Sequence, residues 1–140
     1  MSVDGTLERV LAKVPELSGA AGVAELPGGL TNTNYKVTTA SGAYVVRVSA
    51  KDAGLLAIDR ENEYLNTVAA ADAGVGAAVT AYLPELNVLV LEFIEGQTQS
   101  PEALRRGDKL DQVAAACRKL HVRSKSACNA CCRCWPRRWS

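Results

Sequence analysis

The sequence predicts an α+β fold in which a mixed, mainly antiparallel five-stranded sheet is accompanied by helices. Short β-branched runs bounded by glycine or polar turns recur through the first 95 residues, and helical periodicity occurs before, between and after them. The chain has 140 residues, of which 48% are hydrophobic. This length and composition are sufficient for one modest domain with its own core.

The predicted elements follow one another without long gaps. A first helix is expected at about residues 6–14, because Leu7, Val10, Leu11 and Val14 share one face. A second helix is expected over residues 58–71, between the third and fourth strands. The five strands are expected near residues 22–26, 34–39, 44–48, 77–82 and 87–93.

The segment between the first two strands contains a glycine pair and several small polar residues. Gly28 and Gly29 lack a Cβ, so the backbone there can come close to a ligand. Short hydrogen-bonding side chains follow at Thr31, Asn32, Thr33 and Asn34. Such a segment suits a loop that folds over phosphates, but an ordinary polar hairpin has the same composition.

A single cation, Arg47, interrupts the β-branched run of the third strand. Val46 and Val48 point to the opposite face, so Arg47 shares its face with Val45 and Ser49. Two interpretations are open. Arg47 is either a solvated arginine on an exposed face, or a cation held beside the glycine loop to pair with phosphate.

The second helix offers a partner for that cation. An apolar stripe at helical spacing includes Ile58, Leu65 and Val68, and Glu61 falls within it. A carboxylate that faces a core needs a cation or donors, and we expect Arg47 to pair with Glu61. Glu63 is rotated away from this stripe and is expected to be solvated.

Four segments occur in an order that resembles choline/ethanolamine kinases and the related aminoglycoside phosphotransferases. They are PGGLTNTNYKV, YVVRV, RENEY and VLVLEFIEG, and the resemblance covers about residues 20–121. It implies a protein kinase-like small lobe at residues 1–95, and a hinge with the first helices of an incomplete large lobe at 96–121. An arginine at position 47, where many kinase-like proteins carry lysine, resembles the choline kinase branch.

The resemblance implies phosphoryl transfer from ATP to the hydroxyl of an amino alcohol, with ATP and Mg²⁺ as cofactors. The glycine loop would then cover the phosphates, Arg47 would contact them and Glu61 would hold Arg47. Main-chain groups of the last strand and the hinge would bind adenine. The implied cofactor-binding residues are Gly28, Gly29, Thr31, Asn32, Asn34, Arg47, Glu61, Glu92, Phe93 and Ile94.

Beyond Gly96 the sequence predicts two further helices. Ser100-Pro-Glu102 has the order of a helix start, with a capping hydroxyl and a first-turn proline. A longer helix follows, in which Cys117 is expected to be a small core residue and His121 to pack or cap at its end. Its predicted apolar face comprises Leu110, Val113, Ala114, Cys117, Leu120 and His121.

Residues 122–140 differ from the family and from the rest of the chain. They contain five of the 16 basic residues, four of the five cysteines, and no aspartate, glutamate or histidine. The aspartates that would orient the acceptor hydroxyl and hold Mg²⁺ are therefore not found there. We assign no catalytic residue and no metal ligand, and we expect a truncated, inactive form that exposes apolar surface.

Three hypotheses account for this tail. Cys128, Cys131, Cys132 and Cys134 form a zinc site, although four ligands within so few residues are unusual. Alternatively, the arginines and tryptophans bind nucleic acid, and the chain is then a non-catalytic metal- or nucleic-acid-binding protein. The hypothesis that we favour is translation out of frame shortly after His121, which makes a nucleic-acid partner unexpected.

Membrane association is not expected from the sequence. No apolar run reaches the ~18 residues of a membrane span, and the first residues lack the pattern of a signal peptide. We therefore expect a cytoplasmic protein whose partners are a nucleotide and a small molecule.

Overall fold

The helices and strands of the protein follow the predicted order. A computed structural model describes residues 3–27, 32–49, 59–97, 99–105 and 109–127. Single 3-10 turns, Pro15–Leu17 and Pro84–Leu86, follow the first helix and the fourth strand. The elements are α1 (Val3–Lys13), β1 (Gly22–Leu26), β2 (Asn32–Thr39), β3 (Gly42–Ser49), α2 (Arg60–Asp72), β4 (Val79–Leu83), β5 (Val88–Glu92), α3 (Pro101–Leu104) and α4 (Lys109–Ala127).

The five strands form one sheet in the order β1-β2-β3-β5-β4. Every neighbouring pair is antiparallel, so the predicted α+β class is confirmed, and the sheet is fully antiparallel rather than mixed. β5 lies between β3 and β4 and runs against both. The connection that contains α2 therefore joins two strands that are not direct neighbours.

One face of the sheet packs against α1 and forms the core. The face is built from alternate valines of the central strands, and Val37, Val46 and Val90 are completely buried. Val10 of α1 is also completely buried, with Val14 and Leu17 beside it. Leu7 and Leu11 pack against the same cluster, which confirms the predicted apolar face of the first helix.

An ion pair links the end of α1 to the turn before β5. Lys13 Nζ lies 2.6 Å from Glu85 Oε1, and the hydrogen bond from Lys13 lowers the pKa of the Glu85 carboxyl. Both side chains are about half exposed, so water and salt screen the pair. The apolar contacts of α1, rather than this ion pair, hold the helix on the sheet.

The ends of α2 are fixed by local backbone chemistry. The Asp59 carboxylate accepts hydrogen bonds from the N–H groups of Glu61 and Asn62, at 3.0 and 3.2 Å. At the other end, Gly74 adopts a φ of 68°, and its N–H donates to the Ala71 carbonyl. Val75 N–H donates to the Ala70 carbonyl, which completes a Schellman motif. These caps set where the helix begins and ends relative to the sheet.

The predicted apolar face of α4 is exposed in the structure. Ser100 caps α3 as predicted, by accepting from Ala103 N–H at 3.2 Å, and α4 packs against α2 and α3. Leu110 and Val113, however, are 58% and 48% exposed. We refer to Leu110, Val113 and the exposed Cys117 as the α4 stripe.

Two predictions on α4 were wrong. Cys117 is an exposed free thiol rather than a core residue, because no described element covers this side of the helix. His121 is also exposed and does not end the helix, which continues to Ala127. None of the helices in the described ranges combines the length and the apolar character needed to cross a membrane.

Truncation of a core valine should destabilise the fold. We expect Val90→Ala to lower the free energy of unfolding by about 2 kcal/mol, because it removes buried methyl groups and leaves a cavity. Val23→Ala on β1 is the matched control, since Val23 is 45% exposed. Urea denaturation measures both variants, and equal losses would contradict the described core.

Polar substitution of the α4 stripe should reduce self-association. Leu110→Gln and Val113→Gln together remove exposed apolar surface, while the free energy of unfolding changes by less than about 1 kcal/mol. Sedimentation velocity at several concentrations measures the effect. A wild-type protein that stays monomeric throughout would show that the stripe is not adhesive.

Candidate functional site

The face of the sheet opposite α1 carries a row of aligned polar and apolar side chains. The strand register places Asn34 of β2 opposite Arg47 of β3, and Arg47 opposite Leu89 of β5. Tyr82 of β4 completes the row beside Leu89. Arg47 is therefore on the predicted face, because its neighbours Val46 and Val48 point into the core beside α1.

Two partners hold the guanidinium of Arg47. Its Nε donates to Asn34 Oδ1 at 3.3 Å, and its Nη1 donates to Glu63 Oε1 at 3.2 Å. The side chain retains 31% of its exposure. Arg47 is thus oriented from two directions but still accessible to a ligand, which is what binding a phosphate requires.

Glu63 of α2 bridges two arginines. Its second oxygen, Oε2, accepts from Arg60 Nη1 at 2.7 Å. The Arg60 and Glu63 side chains are only 18% and 21% exposed, so the pair is shielded from solvent. We refer to Arg47, Arg60 and Glu63 as the charge cluster. It carries two positive charges and one negative charge, and the excess of one positive charge favours an anionic ligand.

The predicted pairing of Arg47 with Glu61 was wrong. Glu61 is exposed, and its N–H binds the Asp59 cap, whereas Glu63 reaches Arg47. The error came from the choice of which face of α2 packs against the sheet. Leu65, which was expected to be buried, is 53% exposed.

The face of α2 that meets the sheet is set by an aromatic residue. The rings of Tyr64 and Tyr82 stack with their centroids 4.6 Å apart and their planes 7° apart. Thr67, Val68 and Ala71 lie on the same side of the helix as Tyr64 and are half-buried. A helical phase centred on Tyr64 would have placed Glu63 near Arg47, so the aromatic residue was the signal that the apolar stripe missed. Ile58 lies outside the described residues.

The end of β5 offers fewer free backbone donors than the sequence suggested. Glu92 N–H donates to the Ala78 carbonyl and Phe93 N–H to the Ala43 carbonyl, both at 2.9 Å. The third predicted adenine-binding residue, Ile94, differs from these two, because its N–H makes no hydrogen bond to the described residues. A base edge can therefore use the N–H of Ile94, but not those of Glu92 and Phe93.

Lys36 was not predicted as a site residue, but it lies at this end of the face. Its Nζ sits 3.9 Å from the centre of the Phe93 ring, a cation–π distance. Lys36 follows Asn34 by two residues on β2, so strand alternation places both on the face that carries Arg47. That alternation was visible in the sequence and would have identified Lys36 as a second cation of the face.

The glycine loop falls mainly outside the described residues. Gly28, Gly29 and Thr31 are among those not described, so their contact with a ligand stays a prediction. Asn32 begins β2 opposite Ser49, and its Oδ1 is buried without a hydrogen bond from the described residues. This unsatisfied acceptor is directed away from solvent at the point where the loop enters the sheet.

The site residues fit a phosphate better than they fit a metal. The charge cluster supplies guanidinium donors, which suit phosphate oxygens. Among the described residues, no group of three or more histidine, cysteine, aspartate or glutamate side chains is close enough together to hold a metal ion. The tail cysteines lie outside the described ranges.

An antiparallel sheet with a helix carboxylate paired to an arginine of its third strand is the arrangement of a kinase-like small lobe. Residues 22–139 match the family model of the phosphotransferase enzyme family. The chain belongs to this family, and the predicted resemblance is confirmed. The match extends to residue 139, whereas the sequence resemblance was expected to end at residue 121.

Two solved structures resemble the chain. The first is a choline/ethanolamine kinase family protein from Mesorhizobium loti, with 34% identity and a TM-score of 0.64 over 83% of this chain and 38% of that one. The second is choline kinase LicA from Streptococcus pneumoniae, with 28% identity and a TM-score of 0.55 over 65% of this chain and 32% of that one. The chain therefore spans well under half the length of either relative. A comparison with curated proteins found no match.

Substitution of the two glutamates should separate their roles. Glu63→Gln should lower the free energy of unfolding by about 1–3 kcal/mol, because the shielded Arg60 and the partly exposed Arg47 both lose their charged partner. Glu61→Gln, on the same helix turn but exposed, should cost less than about 1 kcal/mol. Urea denaturation at neutral pH measures both. If Glu61→Gln lowered the free energy of unfolding more than Glu63→Gln, the result would favour the predicted pairing of Arg47 with Glu61 instead.

Proposed function

We propose that this chain forms the nucleotide-binding part of an ATP-dependent phosphotransferase of choline/ethanolamine kinase type. The full reaction would transfer the terminal phosphoryl group of ATP to the hydroxyl of a small amino alcohol. The observation that carries the proposal is the charge cluster, in which Arg47 is held by Glu63 and Asn34 and remains partly exposed. The names of the two similar structures support the same substrate class.

Arg47 is the residue that we expect to contact the phosphates. A guanidinium held at two of its nitrogens loses little conformational freedom when it meets an anion. Its remaining donors are arranged in a plane that matches phosphate oxygens. The loop with Gly28 and Gly29 joins β1 to β2, the strand next to Arg47, so the phosphates would lie between loop and arginine.

The adenine is expected at the other end of the same face. Val45 of β3 is half-buried there beside the buried Leu91 of β5, and its side chain supplies apolar surface against a flat ring. The Ile94 N–H offers a hydrogen-bond donor to the base edge. Lys36 over the Phe93 ring holds the segment after β5 close to β2.

Catalysis requires groups that residues 112–140 do not contain. Asp111 is the last acidic residue of the sequence, so this region provides neither a carboxylate to orient the acceptor hydroxyl nor one to hold Mg²⁺. When bound, Mg²⁺ would neutralise charge on the phosphates. The described residues contain no cluster of carboxylates that could hold it. We therefore propose nucleotide binding by this chain without phosphoryl transfer. An ATP-dependent role also implies a cytoplasmic location.

Loss of the Arg47 charge should weaken binding of ATP selectively. We expect Arg47→Met to weaken ATP binding at least about tenfold, because a charge-assisted hydrogen bond to phosphate is worth about 1.5–3 kcal/mol. Adenosine, which has no phosphate, should bind both proteins equally. Isothermal titration calorimetry measures both ligands, with Arg118→Met on the exposed side of α4 as the control.

Two outcomes would contradict the proposed function. The first is a wild-type chain that binds neither ATP nor adenosine at millimolar concentration. The second is an Arg47→Met variant with unchanged ATP affinity.

A coupled assay for ADP release, with choline and ethanolamine as acceptors, should show no turnover, and turnover by this chain would refute the proposed absence of catalysis.

A further inference from the structure

Arg60 breaks two rules of helix construction. It is the first residue of α2, directly after the Asp59 cap, where the helix dipole disfavours a positive charge. Its side chain is also only 18% exposed, and Nη2 is buried without a hydrogen-bond partner among the described residues. A buried, unsatisfied donor on a cation is unfavourable in itself. Residues that violate local rules in this way are typical of functional sites.

The contact that Arg60 gains is its short bond to Glu63. Arg60 Nη1 lies 2.7 Å from Glu63 Oε2, whereas Arg47 Nη1 lies 3.2 Å from Glu63 Oε1. The two arginines therefore occupy different oxygens of one carboxylate. Because Arg60 and Glu63 are three residues apart on one helix, this bond forms without any movement of α2 relative to the sheet.

Occupation of Oε2 limits what Glu63 can do to Arg47. A carboxylate that is free to turn can accept two parallel hydrogen bonds from one guanidinium. With Oε2 held by Arg60, Glu63 presents a single oxygen to Arg47. Arg47 is then oriented but not saturated, and its other donors stay available.

We propose that Arg60 is a positioning residue of the nucleotide site, which holds Glu63 so that Arg47 remains available to phosphate. The inference rests on the proposed function. Without Arg60, Glu63 turns and binds Arg47 with both oxygens, and the cluster loses its net positive charge. Arg60 acts through Glu63 and does not itself touch the ligand.

A double-mutant cycle in ATP affinity tests this role. We expect Arg60→Met to weaken ATP binding about fivefold, the size of a half-buried ion-pair effect, and to leave adenosine binding unchanged. In a Glu63→Gln background, Arg60→Met should change ATP affinity less than about twofold, because the group through which it acts is gone. Arg118→Met is the matched loss of an exposed arginine and should have no effect.

Two results of that cycle would overturn the inference. An unchanged ATP affinity for Arg60→Met shows that Glu63 needs no positioning. An equal loss in the Glu63→Gln background shows that Arg60 acts on the phosphates directly or through long-range charge. Arg60→Lys keeps the charge, so its ATP affinity should fall between those of wild type and Arg60→Met. Wild-type ATP affinity for Arg60→Lys would mean that only the charge of Arg60 matters and not its bond to Glu63.

A second cycle needs no nucleotide and separates the inference from the proposed function. The coupling of Arg47→Met with Glu63→Gln in urea denaturation reports the strength of the Arg47–Glu63 contact. This coupling should increase when Arg60 is replaced by Met, since Glu63 then binds Arg47 with both oxygens. A coupling that stays the same or falls overturns the positioning role, whether or not the wild-type chain binds ATP.

Discussion

The carboxylate of Glu63 is the interaction on which the arrangement of the site depends. It joins a cation of the sheet, the partly exposed Arg47, to a cation of the helix, Arg60, and the Arg60 and Glu63 side chains are largely shielded from water. A shielded charge without a partner is strongly unfavourable, so this carboxylate fixes how α2 lies against β3. The Asp59 cap, the turn at Gly74 and the Tyr64–Tyr82 stack support the same placement.

The sheet divides the molecule into a face that packs against α1 and a face that carries the candidate site. Alternation along β3 sends Val46 and Val48 toward α1 and leaves Val45 and Arg47 on the other side. The first face is closed by packing of its mainly apolar side chains against α1. The second face combines guanidinium and ammonium groups with apolar surface, which is the mixture that a nucleotide requires.

The α4 stripe shows that a correct periodicity need not mean burial. Leu110 and Val113 share a helical face, but that face is open to solvent beside α2 and α3. A contiguous apolar surface of this kind is typical of an interaction surface. The relatives are more than twice as long as this chain, and the stripe lies in the part of the chain that follows the sheet.

Several features of the fold and the site were determined by the sequence alone. Strand positions followed from β-branched runs and polar turns, the face of Arg47 from strand alternation, and the α3 cap from Ser100. These are local properties, decided within a few residues of backbone. The family resemblance followed from the order of four short segments.

Only the tertiary structure decided which glutamate meets Arg47. Glu61 and Glu63 lie on different sides of an alanine-rich helix, whose weak apolar pattern is compatible with two rotations about the helix axis. The choice between those rotations depends on Tyr82, far along the chain, because its ring stacks on Tyr64 and turns Glu63 toward the sheet. The exposure of the α4 stripe and the backbone hydrogen bond of Phe93 likewise depend on distant segments, which local patterns do not encode.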